Sequence, residues 1–114
     1  MPGCAFCKIL AGDLPGDILY QDDLVTAFRD IHPVAPTHIL LVPNKHIPSV
    51  NDVISEDEAM LGRLFTIARQ LAVQEEIHNS GYRLIMNTGP DSGQLIYHLH
   101  MHLIGGRHMR YPLG

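Results

Sequence analysis

His98-Leu99-His100-Met101-His102-Leu103 alternates imidazole and aliphatic side chains without a break. On a strand, successive side chains point to opposite faces. One strand is expected over Tyr97 to Ile104, with Leu99, Met101 and Leu103 on a buried face. His98, His100 and His102 then share the other face, with neighbours about 6.5–7 Å apart by strand rise. An apolar face needs a layer to cover it, and the rest of the chain supplies one.

That layer is the long helix expected from Glu56 to Glu76. Ser55 with Glu58 three residues on reads as a capping box. Glu56, Asp57 and Glu58 put negative charge at the positive end of the helix dipole. Leu61, Leu64, Ala68, Leu71 and Ala72 recur at helical spacing and form the stripe that faces the core. Asn79-Ser80-Gly81 ends the element, and Tyr82 to Asn87 reads as a strand. Before the helix, Ile18 to Gln21 and Leu24 to Arg29 read as strands around an Asp22-Asp23 turn. His38 to Pro43 is a further strand, and its nearly unbroken apolar run implies burial on both faces. A short helix over Cys4 to Ala11 opens the chain, with Gly12 as a left-handed cap. The order is helix, three strands, long helix, two strands. Without strand–helix alternation, an α+β fold is expected: a five-stranded antiparallel sheet with its helices on one side.

Length and composition narrow the function classes. A chain of 114 residues suits one domain, residues 1–114, with 107–114 as a C-terminal tail. Apolar residues are 46% and charged residues 18%, an ordinary globular balance. The net charge of −4 argues against a nucleic-acid partner, which needs a basic footprint. No apolar run reaches bilayer-spanning length, so no membrane partner is expected. Met1-Pro2-Gly3-Cys4 lacks the basic and apolar segments of a secretory signal, so the expected compartment is the cytoplasm. In that reducing compartment Cys4 and Cys7, at Cys-x-x-Cys spacing, point to metal or redox chemistry before a disulfide.

Three imidazoles on one face suggest chemistry at phosphorus. A neutral imidazole has one protonated and one free nitrogen. Where a backbone carbonyl holds the proton, the other nitrogen is a nucleophile or a metal ligand. A protonated neighbour can bind anionic oxygens or give a proton to a leaving group. Two histidines on one strand can also share a metal, so a metal-dependent hydrolase stays open. A set of merely hydrogen-bonded histidines is the plain alternative.

His98 to Ile104 resembles the His-x-His-x-His-x-x motif, with x apolar, of the histidine triad superfamily. Phe28 to Ile39 resembles that family's nucleotide-ribose segment, Gly81 to Asn87 the strand bearing its phosphate-side asparagine, and Gly105-Gly106-Arg107 the residues after its triad. The likeness covers nearly the whole chain and is nearest to the branch called histidine triad nucleotide-binding proteins. It implies hydrolysis of purine nucleoside 5′-phosphoramidates to AMP or GMP and an amine, with no cofactor required for catalysis. By resemblance His100 is the nucleophile that forms a nucleotidyl-histidine, His102 contacts the phosphate or leaving group, and His98 supports the triad. Gln94 and the backbone near Gly93 and Leu95 bind phosphate oxygens, beside Asn87. Asp30 accepts from the ribose hydroxyls. Phe6, Phe28 and Ile31 line the purine slot. Leu95 departs from the family, which often carries a polar residue just after the loop glutamine; that departure keeps alive a nucleotide-binding module with little turnover.

The same resemblance implies a structural zinc on Cys4, Cys7, His46 and His98, and a homodimer joined through the long helix and a neighbouring strand. It also implies that the tail reaches the partner's site, with Tyr111 near the leaving group. The alternatives are free thiols beside hydrogen-bonded histidines, and a frayed terminus.

Overall fold

The computed structural model describes residues 3–112; Met1, Pro2, Leu113 and Gly114, which the single-domain reading included, lie outside the described residues. Its elements are α1 (Ala5–Ala11), β1 (Ile18–Gln21), β2 (Val25–Arg29), β3 (Thr37–Pro43), α2 (Glu58–Gln74), β4 (Tyr82–Ile85) and β5 (Met101–Gly105). The strands form one antiparallel sheet in the order β1-β2-β3-β5-β4. The expected α+β class and five-stranded sheet are what the chain adopts.

Every residue of β3 is buried, because both faces of the sheet are covered. Ile39 and Leu41 join Val25 and Ala27 in a core that includes Leu64, Ile67, Ala68 and Leu71 of α2. Leu40 and Val42 point the other way, into a smaller cluster with Cys4, Phe6 and Phe28. The helices therefore lie on opposite faces, and the expectation of helices on one side is corrected. The doubly apolar β3 needs a cover on each side, and α1 supplies the second.

The caps are local chemistry. Cys4 Sγ accepts from Cys7 N at 3.3 Å at the start of α1. Gly12, at φ 82°, ends it, in a left-handed conformation that a Cβ disfavours. At α2 the capping bond sits one residue earlier than expected. The Asp57 carboxylate accepts from Ile54 N at 3.1 Å, whereas Ser55 Oγ turns to Glu56 at 3.2 Å. A 3₁₀ turn over Ser55–Asp57 precedes the α-helix and causes the shift.

One bidentate ion pair fastens the end of α2 to the sheet. Arg29 makes a bidentate pair with Glu75 at 2.8 and 2.9 Å, and Thr37 Oγ1 also donates to Glu75 at 3.2 Å. The Arg29 guanidinium, first by hydrogen bonding, holds the Glu75 carboxyl below its usual range. The ends of β2 and β3 that flank Asp30 and His38 are thus held by one carboxylate. Among the described residues no helix is long and apolar enough to cross a membrane.

Candidate active site and metal centre

The alternation in the histidine stretch is real, but its regular ladder is shorter than expected. β5 begins at Met101, paired with Leu41, rather than at Tyr97. β3 ends at Pro43, and the turn after it provides the partners upstream: Leu99 N donates to Ile47 O at 2.7 Å. Leu99, Met101 and Leu103 enter the α2-side core as expected. The histidines lie on the α1 side, where Phe6 meets the His98 and His100 rings edge-on at 5.9 and 5.1 Å. They are not an open row, since His98 is fully buried and His100 nearly so.

Each ring has a defined partner. His100 Nδ1 lies 2.8 Å from the His98 carbonyl oxygen. A carbonyl only accepts, so Nδ1 carries the proton and Nε2 keeps its lone pair. Burial, opposed by that carbonyl and by Asp30, pushes the His100 pKa down. The ring is a neutral base with one free nitrogen.

His102 is set by His38, which the sequence reading gave no role of its own. Val34 N donates to His38 Nδ1 at 3.2 Å. His38 must then carry its proton on Nε2, which lies 2.9 Å from His102 Nδ1. His102 Nδ1 accepts, so its own proton sits on Nε2. Burial first, then the neighbouring His100 and His38, push the His102 pKa down to about 4. Burial also lowers His38, against the pull of Asp30, whose Oδ2 lies 3.3 Å from His38 Nε2. Asp30, His38 and His102 lie close enough to share a metal ion, yet the proton on His38 Nε2 makes the group a hydrogen-bond relay. No pattern inside the chain marks His38; only the β3–β5 register, with Leu40 opposite His102, brings it there.

The other expected site residues lie around this relay. Asp30 is half-buried, and its Oδ1 accepts from His32 N at 2.8 Å. Phe6 and Phe28 pack edge to face at 5.4 Å and are buried, while Ile31 is 82% exposed. The Phe pair is a floor rather than an open slot. Gln94 is buried with its side chain wholly engaged: Nε2 donates to Pro48 O and Ile96 O, and Oε1 accepts from Gly89 N. Its side chain shapes the loop, and Gly93 caps that loop at φ 86°. Asn87 is half-buried just after β4. Leu95 is 91% exposed. In the tail, Tyr111 is 70% exposed.

A second cluster is Cys4, Cys7, His46 and His98, whose ligand atoms all lie within 4.8 Å of one another. His98 Nε2 is 2.8 Å from Pro43 O, so it donates there and leaves Nδ1 free. That Nδ1 faces Cys4 Sγ at 3.4 Å and Cys7 Sγ at 3.6 Å, and His46 Nδ1 is 3.3 Å from Cys7 Sγ. Tetrahedral zinc, with Zn–S about 2.3 Å and Zn–N about 2.0 Å, sets S···N edges of about 3.5 Å. A ligand histidine that donates its other N–H to a carbonyl is the usual supporting arrangement. Burial and the Cys4 neighbour push the Cys7 thiol up, so a cation among these donors is what would let both thiols ionise. The donor set fits a divalent zinc-like ion.

The sequence pattern of the HIT domain matches residues 11–109, and the chain belongs to that family. It is 61% identical over 109 residues, 96% of this chain and 88% of the other, to a protein of Escherichia coli K12 named purine nucleoside phosphoramidase. Among solved structures, a HIT family hydrolase from Legionella pneumophila superposes with TM-score 0.94 at 45% identity, covering 98% of this chain and all of its own. A HIT family hydrolase from Clostridium thermocellum gives 0.95 at 39% identity, covering 99% and 98%.

Proposed function

We propose that the chain is a hydrolase of purine nucleoside 5′-phosphoramidates, cleaving the P–N bond to release AMP or GMP and an amine. The observation that carries it is the His100 Nδ1–H held by the His98 carbonyl. It supports Nε2 as a neutral nucleophile. Nε2 attacks phosphorus, the P–N bond breaks, and the departing amine takes the proton of His102 Nε2. Water then hydrolyses the nucleotidyl-histidine, returning a proton to His102. Splitting the reaction this way replaces one hard step by two easier ones. Asp30 accepts from the ribose hydroxyls, and Ile31 over the Phe6–Phe28 floor offers apolar surface to the base. Asn87 and the Gly93–Leu95 backbone complete the phosphate side, with Gln94 acting by holding that loop in shape.

Zinc on Cys4, Cys7, His46 and His98 would pin α1 to the sheet, a staple that suits a short chain. It supplies structure, and the reaction needs no cofactor. A reducing cytoplasm keeps the two thiols available for it. The homodimer reading is supported by α2 and β4. On α2, Phe65 is 57% and Val73 51% exposed, and Phe65 lines an apolar hollow of about 420 Å³ with Val53, Leu61, Leu84 and Met86. β4 ends the sheet, so a twofold axis there would cover both the hollow and a bare edge.

Leu95 favours a second reading, a nucleotide-binding module with little turnover, because no hydroxyl stands at that exposed position. Mass spectrometry after brief incubation with a slow adenosine phosphoramidate separates the two. A hydrolase shows an adenylyl adduct on His100 and free AMP. Bound nucleotide with neither product leaves the second reading standing.

A further inference from the structure

The end of β5 reaches back to the loop between β2 and β3. Arg107 Nη2 donates to Val34 O at 2.8 Å, and Arg107 Nη1 donates to His108 O at 3.0 Å. Just before it, Gly106 sits at φ 95° against Pro36, so close that a Cβ would stand 2.9 Å from Pro36 Cβ. Val34 is otherwise half-exposed, at 56%. Its N–H is the donor that fixes His38 Nδ1 as an acceptor.

This matters because the His38–His102 bond has two proton arrangements. With Val34 N–H in place, His38 donates from Nε2, and His102 keeps its proton on Nε2. Were that amide to drift, His38 could move its proton to Nδ1. Its Nε2 would then accept from His102 Nδ1–H, and His102 Nε2 would be left bare. A bare nitrogen has no proton for a leaving group. The groups facing the pair are Asp30, at 3.3 Å from His38, and His100, whose ring centroid is 5.0 Å from that of His102. Asp30 accepts and so favours a proton on His38 Nε2, but Val34 alone donates to Nδ1 among the described residues.

We propose that Arg107 is a positioning residue: by holding Val34 through its carbonyl, it keeps the His38–His102 relay in the arrangement that leaves a proton on His102 Nε2. It touches neither substrate nor the reacting atoms. The catalytic consequence rests on the phosphoramidase reading; the relay itself does not.

Arg107→Ala and Arg107→Lys test it, with ring ¹⁵N NMR of His38 and His102 as the deciding measurement. In the unaltered protein both rings give the signature of a proton on Nε2. Arg107→Ala shifts both toward a mixture, while Arg107→Lys, which keeps a cationic donor, returns them. On an adenosine phosphoramidate, Arg107→Ala lowers kcat about tenfold, a part of what a general acid contributes. KM changes little, and Arg107→Lys recovers most of kcat. Unchanged ring signals in Arg107→Ala overturn the proposal, whatever happens to the rate. If the unaltered protein shows no turnover, the phosphoramidase reading fails, and the NMR comparison still decides the role of Arg107.

Discussion

At the scale of the single residue, His100 has one proposed task, that of nucleophile, and one lone pair. His100→Ala removes both and leaves the His98 carbonyl without its donor. Turnover of a phosphoramidate is expected to fall at least about a thousandfold, as for loss of a covalent nucleophile. No adduct should then be trapped in the mass spectrum. Turnover persisting near the original rate would take the nucleophile's part from His100. The triad's identity was legible from six residues, because strict alternation is a two-residue period that few other arrangements mimic. The proton positions were not. They depend on the His98 carbonyl, on Val34 N–H and on His38, which lie in three different segments and meet only through the β3–β5 register.

At the scale of the element, α1 and α2 carry the two remaining expectations. α1 spans only seven residues, too few to be stable by its own hydrogen bonds. It is held by Phe6 and by the Cys4–Cys7 cluster. Stripping metal with a chelator, or Cys7→Ser, is expected to lower Tm by several degrees, on the scale of about 2 kcal/mol for a domain this size. Zinc analysis of the purified protein, returning about one equivalent, should accompany the melt, and a Tm indifferent to chelator would remove the staple. On α2, Phe65→Glu puts a charge on the exposed apolar stripe. Sedimentation should show the dimer giving way to monomer, while an unaltered monomer in both proteins would refute the assembly. Helical periodicity located α2 well, with its polar start displaced by one turn of 3₁₀ helix. It could not say that α1 covers the opposite face, although the unbroken apolar run of β3 already called for a cover on each side.

At the scale of the whole molecule, buried neutral histidines couple stability to pH. His102 sits at about 4 and His38 is also lowered, against an unfolded value of about 6.5. Between those values the unfolded chain binds more protons than the folded one, so stability falls as pH drops through that window. Each histidine contributes at most about 1.4 kcal/mol per pH unit. Urea denaturation should give a lower midpoint at pH 5 than at pH 7.5, with similar slope. Equal midpoints would mean that these rings are solvated. The core answers differently: Leu64→Ala, at a fully buried position, is expected to cost about 2–5 kcal/mol at either pH.

His98 belongs to two neighbourhoods through different atoms. Its ring faces the thiols, and its main-chain oxygen holds the Nδ1 proton of His100, the proposed nucleophile. Mutagenesis reaches only the former, because every amino acid brings the same peptide group. A His98→Ala protein that still turns over would therefore speak about the anchoring of the first helix, and would leave the orientation of the His100 ring untested.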